Sequence, residues 1–413
     1  MTTHSPAKPQ GAPIGFAEFT AMVAALMALG ALGIDTMLPA LPAIGEALGV
    51  ADENRRQFVI TAFLLGFGVG QLLHGPLADR YGRRPVLVIA LLAYAAANLV
   101  CAASQSFDAL LAARVLGGMA GAATRVVPVA IVRDRFSGRA MAQVMSTAFI
   151  MFMVVPVLAP TLGAGLLLVS DWRFIFAVIA GLAVAVAAWF WFRMPETQHP
   201  EDRLPLSPGR IAGGWRTTVT DRLSLGYMLA AGAMQGGIYG YLNSIGQVVG
   251  DSFGRPGLLP LVFALTAGAI AFSNFANARF VMRFGQRVLS HAAVCAVLAI
   301  ATLHLAVYHA GVESLTVFIV LQAMTLACFG LIGTNFSSMA MQNMGHIAGT
   351  ASSVQGFASV MLGALIGAVI GQRFDGTPAP MIEGFIAVSV LALGLAALTE
   401  RGRLFRPVTE GGR

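Results

Sequence analysis

The sequence has 413 residues, of which 57% are hydrophobic and only 11% are charged, and its mean hydropathy is +0.76. Soluble domains carry roughly 25% charged residues, so this chain has too few charges to cover a water-exposed surface. The composition therefore excludes an ordinary soluble protein and indicates a membrane protein. In that setting the net charge of +7 is no sign of nucleic-acid binding.

Apolar runs long enough to cross a bilayer follow one another along the chain. A membrane-spanning helix needs about 20 mainly apolar residues, whereas the strands of a membrane barrel are short and alternate. The sequence therefore predicts an all-α polytopic membrane protein with twelve transmembrane helices. They are predicted at residues 16–40, 57–75, 86–106, 108–132, 141–169, 173–193, 224–249, 258–281, 288–309, 313–341, 347–371 and 380–399.

A polar stretch interrupts this pattern near the middle of the chain. It is rich in prolines and charged residues, a composition typical of a linker rather than a membrane helix. We therefore expect two six-helix halves joined by a cytoplasmic linker. The predicted divisions are a tail at 1–15, a first half at 16–193, the linker at 194–222, a second half at 223–400 and a tail at 401–413.

An internal repeat supports the division into halves. ADRYGRRPV begins at Ala78, after the predicted second helix, and VMRFGQRVL begins at Val281, after the predicted eighth helix. Both copies contain Arg, an aromatic residue, Gly, one variable residue and Arg. Two related halves of this kind are typical of secondary transporters.

The basic residues are unevenly distributed between the two sides of the predicted membrane. When residues at the ends of the predicted helices are counted with the adjoining loops, 19 of the 26 basic residues fall in the tails, the linker and the loops on their side and 5 in loops on the opposite side. The other 2, Arg114 and Arg125, lie within helices. Basic residues collect on the cytoplasmic side of membrane proteins. The sequence therefore predicts that both termini are cytoplasmic.

Glycines at four-residue spacing predict close contact between helices, because small residues let two backbones approach each other in a membrane. The spaced glycines are Gly66 and Gly70, Gly117 and Gly121, and Gly363, Gly367 and Gly371. A nucleotide-binding loop at GFGVG (66–70) is the alternative, but it requires a preceding strand and a soluble βαβ unit, neither of which the sequence contains.

The segment GPLADRYGRRP (75–85) joins the predicted second and third helices. Its arginines would be enough to anchor the topology, but Asp79 is not needed for that role. We expect Asp79 to meet free amides at a helix N-terminus or to pair with Arg133 or Arg135, and Pro85 to lie in the first turn of the next helix. The candidate conformational gate consists of Gly75, Asp79, Arg80, Gly82, Arg83 and Arg84.

Several of these segments resemble motifs of the major facilitator superfamily. GPLADRYGRRPVL resembles its signature loop, and LLAARVLGGMAGAATRVVPVAIVRDRF (110–136) resembles its fourth-helix motif, with Arg114 at the arginine position. VVPVLAPTLGAGL (154–166) resembles the fifth-helix motif of its drug–proton antiporters. IDTMLPALP and HIAGTASSVQG (346–356) are most similar to the Bcr/CflA branch of multidrug exporters.

The resemblance implies a major facilitator fold and a proton-coupled secondary transporter that exports drugs or other amphipathic compounds by alternating access. It implies a multi-pass protein of the bacterial inner membrane that works as a monomer, with protons and a small molecule as partners. It implies no enzyme activity, cofactor or metal. It assigns helix bending to Pro156, Pro160 and Gly163, although Ala159 stands where the antiporter motif usually has glycine.

Import of a micronutrient on the same fold is an alternative. RVVPVAIVRDRFSGRAMAQVMS (125–146) is similar to a side branch of the superfamily that imports copper or riboflavin. The methionine pairs of the copper importers match poorly here, so riboflavin is preferred within this alternative. An intramembrane enzyme is disfavoured, because a protease of that kind needs a second buried acid or a Ser/His pair.

Of the 19 acidic residues, only Asp35 lies well inside a predicted helix. Charges inside a membrane are candidates for function, and counting helical turns puts Asp35 and Arg114 at similar depth, where both can face a central cavity. A carboxylate balanced between burial and a nearby arginine can take up and release a proton. Asp35 and Arg114 are therefore the candidates for proton coupling, and a static pair that only joins helix one to helix four is the structural alternative.

Polar side chains among apolar ones are the candidates for substrate binding. Gln235, Tyr239 and Asn243 recur at four-residue spacing and share one helix face, and aromatic and amide groups suit a planar organic ligand. Hydrogen bonding between helices is the alternative role for such residues. Arg125 either extends to the lipid headgroups or faces the cavity, where it would favour an anionic or carbonyl-rich ligand. The candidate substrate-binding residues are Asp35, Arg125, Gln235, Tyr239, Asn243, Asn335 and Gln355.

Overall fold

The computed structural model describes residues 14–136, 138–203 and 207–406, and these ranges contain helices and connecting loops but no β-strand. The first half of the chain forms eight α-helices. Their bounds are α1 Phe16–Asp35, α2 Leu41–Ala47, α3 Phe58–Tyr81, α4 Arg83–Ala103, α5 Phe107–Gly121, α6 Ala123–Arg135, α7 Gly138–Val169 and α8 Trp172–Arg193.

The second half forms seven more α-helices. Their bounds are α9 Pro208–Thr220, α10 Arg222–Gln247, α11 Leu259–Phe284, α12 Gln286–His309, α13 Leu315–Ala340, α14 Ala348–Gln372 and α15 Ala379–Thr399. Short helical turns occupy several of the connections. They are Leu38–Ala40, Asn54–Gln57, Pro200–Asp202, Val248–Ser252, Pro256–Leu258 and Gly345–Ile347.

Ten helical segments of the described chain are long and apolar enough to cross a membrane. They are Phe16–Ala47, Asn54–Tyr81, Arg83–Ala103, Phe107–Arg135, Trp172–Arg193, Pro256–Phe284, Gln286–His309, Leu315–Ala340, Ala348–Gln372 and Ala379–Thr399. The predicted all-helical, polytopic architecture is confirmed. The count of twelve stays a prediction, which requires α7 and α10 to cross the membrane as well.

The turn between α3 and α4 is shorter than the sequence indicated. Gly75 and Pro76 were expected in a loop, but α3 continues through both of them to Tyr81, since a proline is tolerated in a helix that neighbouring helices support. Gly82 alone reverses the chain, with φ of +102°, a conformation that glycine adopts without steric cost. Pro85 then lies in the first turn of α4, as predicted.

The internal repeat is visible in this backbone geometry. Gly285 separates α11 from α12 with φ of 79° and ψ of 158°, close to the 102° and 153° of Gly82. In each copy one glycine both ends a helix and begins the next. The matching sequence segments therefore form matching helix–helix corners.

Close helix pairs form where the spaced glycines predicted them. A Cβ atom added to Gly66 or Gly70 of α3 would collide with the backbone of α5, and one added to Gly118 of α5 would collide with the backbone of α3. Gly117 and Gly121 have only ordinary van der Waals neighbours at 3.4 Å. The predicted role in packing is thus confirmed for the α3 pair and is weaker for the α5 pair.

The contact between α10 and α14 is built from two facing glycine rows. Gly232, Gly236 and Gly240 of α10 receive the side chains of Leu362, Ile366 and Ile370 of α14. Gly363, Gly367 and Gly371 of α14 receive those of Gln235, Tyr239 and Asn243 of α10. The two rows interlock, so each helix supplies the space that the other fills.

The helices run back and forth between two ends of the molecule. We call the end that carries residues 16–18, the 194–221 linker and residues 400–406 the terminal face, and the end that carries residues 36–57 and 373–378 the distal face. Between these faces the two halves of the chain meet along α3 with α14 and along α7 with α11.

Candidate functional site

Asp35 is the last residue of α1 and is 6% exposed. It borders a cavity of about 140 Å³ whose other lining residues come from α10, α11 and α13 of the second half. The lining consists of Asp35, Ile238, Tyr241, Leu242, Phe263, Thr266, Ala267, Ile270 and Leu326. The cavity therefore lies between the two halves, with Asp35 as the ionisable group that the first half contributes.

The other polar groups of this lining hydrogen-bond to one another. The Thr266 hydroxyl donates to the carbonyl of Val262 at 2.9 Å, which leaves its oxygen free to accept from Tyr241 at 2.7 Å. Within the described chain, Asp35 has no hydrogen bond or ion pair to its carboxylate. The rest of the cavity wall is apolar, or polar with hydrogen-bond partners already present. The Asp35 carboxylate is therefore available to a ligand or to a proton.

The predicted pairing of Arg114 with Asp35 is not present in the described structure. Arg114 is 1% exposed, and its guanidinium donates to the carbonyl oxygens of Val59 at 3.0 Å and Gly33 at 2.8 Å. It also lies 4.4 Å above the centre of the Phe63 ring. Carbonyl groups in the last turn of a helix have no hydrogen-bond partner within the helix, and they attract cations. The carbonyl of Gly33 therefore binds Arg114 in place of the Asp35 carboxylate.

Arg114 therefore joins α5 to α3 and to the end of α1. Gly33 is two residues before Asp35, so the arginine holds the backbone that carries the acid rather than the acid itself. Gly33 is needed at this position, because a Cβ there would collide with the Tyr94 hydroxyl. Arg114 is thus bound to the backbone that leads to Asp35 and not to the carboxylate of Asp35.

The candidate gate forms an ion-pair cluster at the terminal face. Arg83 is 5% exposed and forms ion pairs with Asp79 at 2.5 Å and with Asp134 at 3.0 Å. Asp134 is the penultimate residue of α6. The expected partners of Asp79, Arg133 and Arg135, do not form ion pairs with it in the described chain. Asp79 is closer to Arg83 because the two lie four residues apart across the single-glycine turn.

Sequence reasoning missed Glu196, which completes this cluster. Its carboxylate accepts from the backbone amides of Arg83 at 3.0 Å and Arg84 at 3.1 Å, the role at the start of α4 that was expected of Asp79. Its own chain neighbours, Thr197 and Gln198, donate to it as well. The sequence shows that Glu196 lies three residues after the end of α8. Only the folded chain shows which helix N-terminus its carboxylate reaches.

The remaining gate residues lie around this cluster. Arg84 donates to the carbonyl of Trp191 at 2.6 Å and lies 4.1 Å above its ring centre, while Arg80 is exposed. Gly75 lies inside α3, where a Cβ would be 3.1 Å from the Ser353 hydroxyl of α14. Apart from Gly75, the contacts described for the gate residues stay within the first half and its linker.

The three residues assigned to helix bending all fall within α7, which is helical from Gly138 to Val169. Pro160 is buried, and the side chain of Pro156 lies outside the described residues. A Cβ on Gly163 would collide with the carbonyl of Thr36, directly after Asp35. Gly163 therefore lets α7 approach the end of α1.

Gln235, Tyr239 and Asn243 share one face of α10, as predicted. That face packs against the α14 glycines at positions 363, 367 and 371. Tyr239 is 8% exposed and lies within electrostatic range of both Asp35 and Arg125. Both amide atoms of Asn243 are buried without a hydrogen-bond partner in the described chain. This face therefore combines helix packing with two polar groups, the Tyr239 phenol and an Asn243 amide without a hydrogen-bond partner in the described chain.

The other candidate substrate residues have separate environments. Asn335 is buried and donates to the side chain of Asn277 at 2.8 Å and to the carbonyl of Leu331 at 2.7 Å, so it joins α13 to α11. Gln355 is 8% exposed on α14. Arg125 is exposed in the first turn of α6, and its proximity to Tyr239 places it on the side that faces the second half.

A group of amide side chains at the distal face, which we call the distal amide cluster, was not found from the sequence. It consists of Asn54, Gln57, Gln247 and Gln372. Asn54 donates to the carbonyls of Gln372 at 3.2 Å and Phe374 at 2.9 Å, and Gln372 donates to the Asn54 carbonyl at 2.6 Å.

Gln247 completes the distal amide cluster by donating to the Asn54 side-chain oxygen at 3.0 Å and accepting from Gln57. Every one of these hydrogen bonds joins the first half of the chain to the second. No other hydrogen bond between the two halves is seen among the described residues. The polar connection between the halves is therefore at the distal face.

A second polar cluster lies at the terminal face of the second half. The carboxylate of Glu400 accepts from Tyr227 at 2.6 Å and from Arg287 at 2.6 Å. His291 lies 3.2 Å from the Tyr227 hydroxyl, and its other ring nitrogen accepts from the Phe405 amide at 3.3 Å. Like Glu196 in the first half, Glu400 lies after the last helix of its half and binds a residue beside the single-glycine corner, which here is Arg287.

Known proteins resemble this chain over nearly its whole length. The family profile described as Major Facilitator Superfamily matches residues 23–368. The "Uncharacterized MFS-type transporter YdgK" of Bacillus subtilis (strain 168) is 31% identical over 384 residues, which are 91% of this chain and 94% of that protein. The "Bicyclomycin resistance protein homolog" of Haemophilus influenzae (strain Rd) is 30% identical over 374 residues, 89% of this chain and 93% of that protein.

A solved structure shows the same fold. It is the xylose transporter XylE from E. coli in a partially occluded inward open conformation, which superposes on this chain with a TM-score of 0.72 at 12% sequence identity. The superposition covers 95% of this chain and 99% of the XylE chain. The predicted resemblance to drug exporters of the Bcr/CflA type is confirmed by the resistance protein among the relatives. The profile match over most of the chain and a relative at 31% identity show that this protein belongs to the major facilitator superfamily.

Proposed function

We propose that this transporter exports drugs or other small amphipathic compounds in exchange for protons, with Asp35 as the proton carrier. The observation that carries the proposal is the position of Asp35, an acid without a partner in the wall of an apolar cavity between the two halves. Proton binding at this carboxylate would remove a charge from the cavity, so proton and substrate would compete for one site. The name of the bicyclomycin-resistance relative supports export over micronutrient import.

The proposed transport cycle is alternating access by two six-helix halves, which requires α7 and α10 to complete a set of twelve membrane helices. The distal amide cluster supports this mechanism, since it joins the two halves at the distal face through hydrogen bonds that can break and reform. Arg114 would hold Asp35 in place through Gly33, while Tyr239, Asn243 and Arg125 would contact the substrate. The ion-pair cluster around Arg83 would hold the first half together as it moves.

The proposed orientation places the terminal face in the cytoplasm of a bacterium, with the protein in the inner membrane. The distribution of basic residues along the sequence supports this orientation, because 19 of the 26 belong to the tails, the linker and the loops predicted on their side. A functional monomer suffices, since the cavity is lined by both halves of one chain.

Transport by purified protein in liposomes with an imposed pH gradient tests the proposal. The wild-type protein should move a fluorescent amphipathic dye against its gradient when protons flow the other way. Asp35→Asn should abolish the response to the pH gradient. Asp108→Asn is the matched control, because Asp108 is exposed at the start of α5 and its loss should leave coupling unchanged.

Two results would contradict the proposal. Dye movement by the wild-type protein that ignores the pH gradient would exclude proton coupling. Normal coupling in a folded Asp35→Asn variant would exclude Asp35 as the proton carrier.

A further inference from the structure

Helix α9, Pro208–Thr220, lies within the linker and is fixed to the second half by small residues. Gly214 is buried against α14, where a Cβ would lie 2.8 Å from the Thr350 methyl group. Thr218, one turn later, is fully buried, and its hydroxyl donates to the Gly214 carbonyl at 2.9 Å. The inner side of α9 is therefore occupied and its own polar group is satisfied.

The neighbours of α9 fix its depth in the molecule. Thr350 lies in the first turn of α14, which begins at Ala348, and α10 begins at Arg222, two residues after α9 ends. Both of these long helices start at the terminal face. Since α14 crosses the membrane from there, α9 lies at the level where the membrane begins.

The outer side of α9 presents apolar and basic residues together. Trp215 is 37% exposed and Val219, four residues later, is 42% exposed, so they share a helix face. Arg216 is exposed beside them. Thr217 is also exposed. At roughly 100° per residue, its side chain points about 160° away from that of Val219, so Thr217 lies on the opposite, polar side of the helix.

We propose that α9 is a membrane-surface helix whose outer face binds anionic phospholipid, with Trp215 and Val219 at the headgroup boundary and Arg216 on the phosphates. Tryptophan is enriched at membrane–water interfaces, and amphipathic helices with basic borders lie in the plane of the interface. The basic excess on the terminal face provides charge complementarity to such a lipid surface. The linker between the halves is thereby tied to the bilayer.

Spin-label depth measurements on the full-length protein in liposomes test this inference without any transport assay. Val219→Cys and Thr217→Cys are each labelled in a background where Cys101, Cys295 and Cys328 are replaced by alanine. The label at 219 should be accessible to oxygen and shielded from a water-soluble nickel reagent. The label at 217 should show the reverse, and it serves as the matched control.

Lipid composition gives a second readout. Vesicles with phosphatidylglycerol should hold the label at 219 deeper than vesicles of phosphatidylcholine alone, and Arg216→Gln should remove that difference while Arg216→Lys keeps it. Equal nickel access at both positions would place the outer face in water and overturn the inference. A label at 219 shielded from both reagents would also overturn it, because the face would then be covered by protein.

Discussion

The guanidinium of Arg114 donates a 2.8 Å hydrogen bond to the carbonyl oxygen of Gly33, two residues before Asp35. The arginine and the acid thus act through the backbone of α1 rather than as an ion pair. This arrangement leaves the carboxylate free for the cavity. It also makes the position of Asp35 depend on a residue of another helix.

Replacement of Arg114 should therefore lower stability independently of Asp35. In Arg114→Leu, the buried Gly33 carbonyl loses its partner, which costs about 1–3 kcal/mol. Thermal unfolding in detergent should show a lower midpoint for this variant and little change for Asp35→Asn. If instead the double variant recovered the stability lost in Arg114→Leu, the two charges would be coupled and the geometry described here would be wrong.

The distal amide cluster should control which end of the cavity opens. Asn54→Ala removes three hydrogen bonds between the halves, and a shift of about 1–3 kcal/mol is expected toward states open at the distal face. A cysteine introduced at Ala267, in the cavity wall, should react faster with a membrane-impermeant maleimide added on the distal side. Native cysteines are replaced by alanine in this background.

Asn343→Ala provides the matched control for the amide cluster. Asn343 donates to Asp221 of the linker at 3.0 Å, a bond at the terminal face that involves no residue of the first half. Its loss should leave the cysteine at 267 as reactive as before. An unchanged reaction rate in Asn54→Ala would show that the cluster does not hold the distal end closed.

The contact between α3 and α5 should tolerate no side chain at Gly118. A Cβ there would collide with the carbonyl oxygen of Phe63, and backbone cannot move aside as a flexible side chain can. Gly118→Ala should cost about 1–3 kcal/mol through this overpacking. Thermal unfolding in detergent measures the effect.

Gly181 of α8 is the matched control, because nothing lies within 4 Å of an added Cβ. Gly181→Ala should be neutral or stabilising, by up to about 1 kcal/mol, since alanine favours the helix. Equal effects at Gly118 and Gly181 would mean that the close approach of α3 and α5 is not rigid.

The Glu400 cluster should make stability depend on pH. Burial alone would raise the pKa of Glu400, but the hydrogen bonds from Tyr227 and Arg287 and the charge of Arg287 outweigh burial and lower it. A carboxylate with a lowered pKa contributes stability above its ordinary pKa, roughly 4.3. That contribution is lost as the pH falls through the lowered value in the folded state.

Glu400→Gln should therefore unfold at a lower temperature than the wild-type protein at pH 7. The difference should begin to shrink below roughly pH 4.3, where the carboxylate of the unfolded state takes up a proton. It should disappear as the pH falls through the lowered pKa of the folded state. Glu201→Gln, which changes an exposed residue of the linker, should match the wild-type protein throughout. A difference that stays constant down to pH 3 would exclude ionic stabilisation by Glu400.

Local patterns determined much of this protein. The low charge content requires a membrane, the apolar runs give the helices, and glycine spacing marks the close contacts at Gly66 and Gly70 of α3 and along α14. The repeated corner at Gly82 and Gly285 follows from glycine at the same place in two similar segments. Each of these features depends on residues that are near one another in the chain.

The tertiary structure decided which groups meet. Arg114 reaches Gly33, Glu196 reaches the start of α4, and Asn54 reaches Gln372, although each partner is far away in the sequence. A buried donor or acceptor must find its partner on a helix that packs beside its own. The helical repeat predicts how deep a residue lies and which face of its helix it occupies, but not which helix packs against that face. For that reason the sequence could single out Asp35 as a buried acid, while only the folded chain showed that it has a cavity, and not an arginine, beside it.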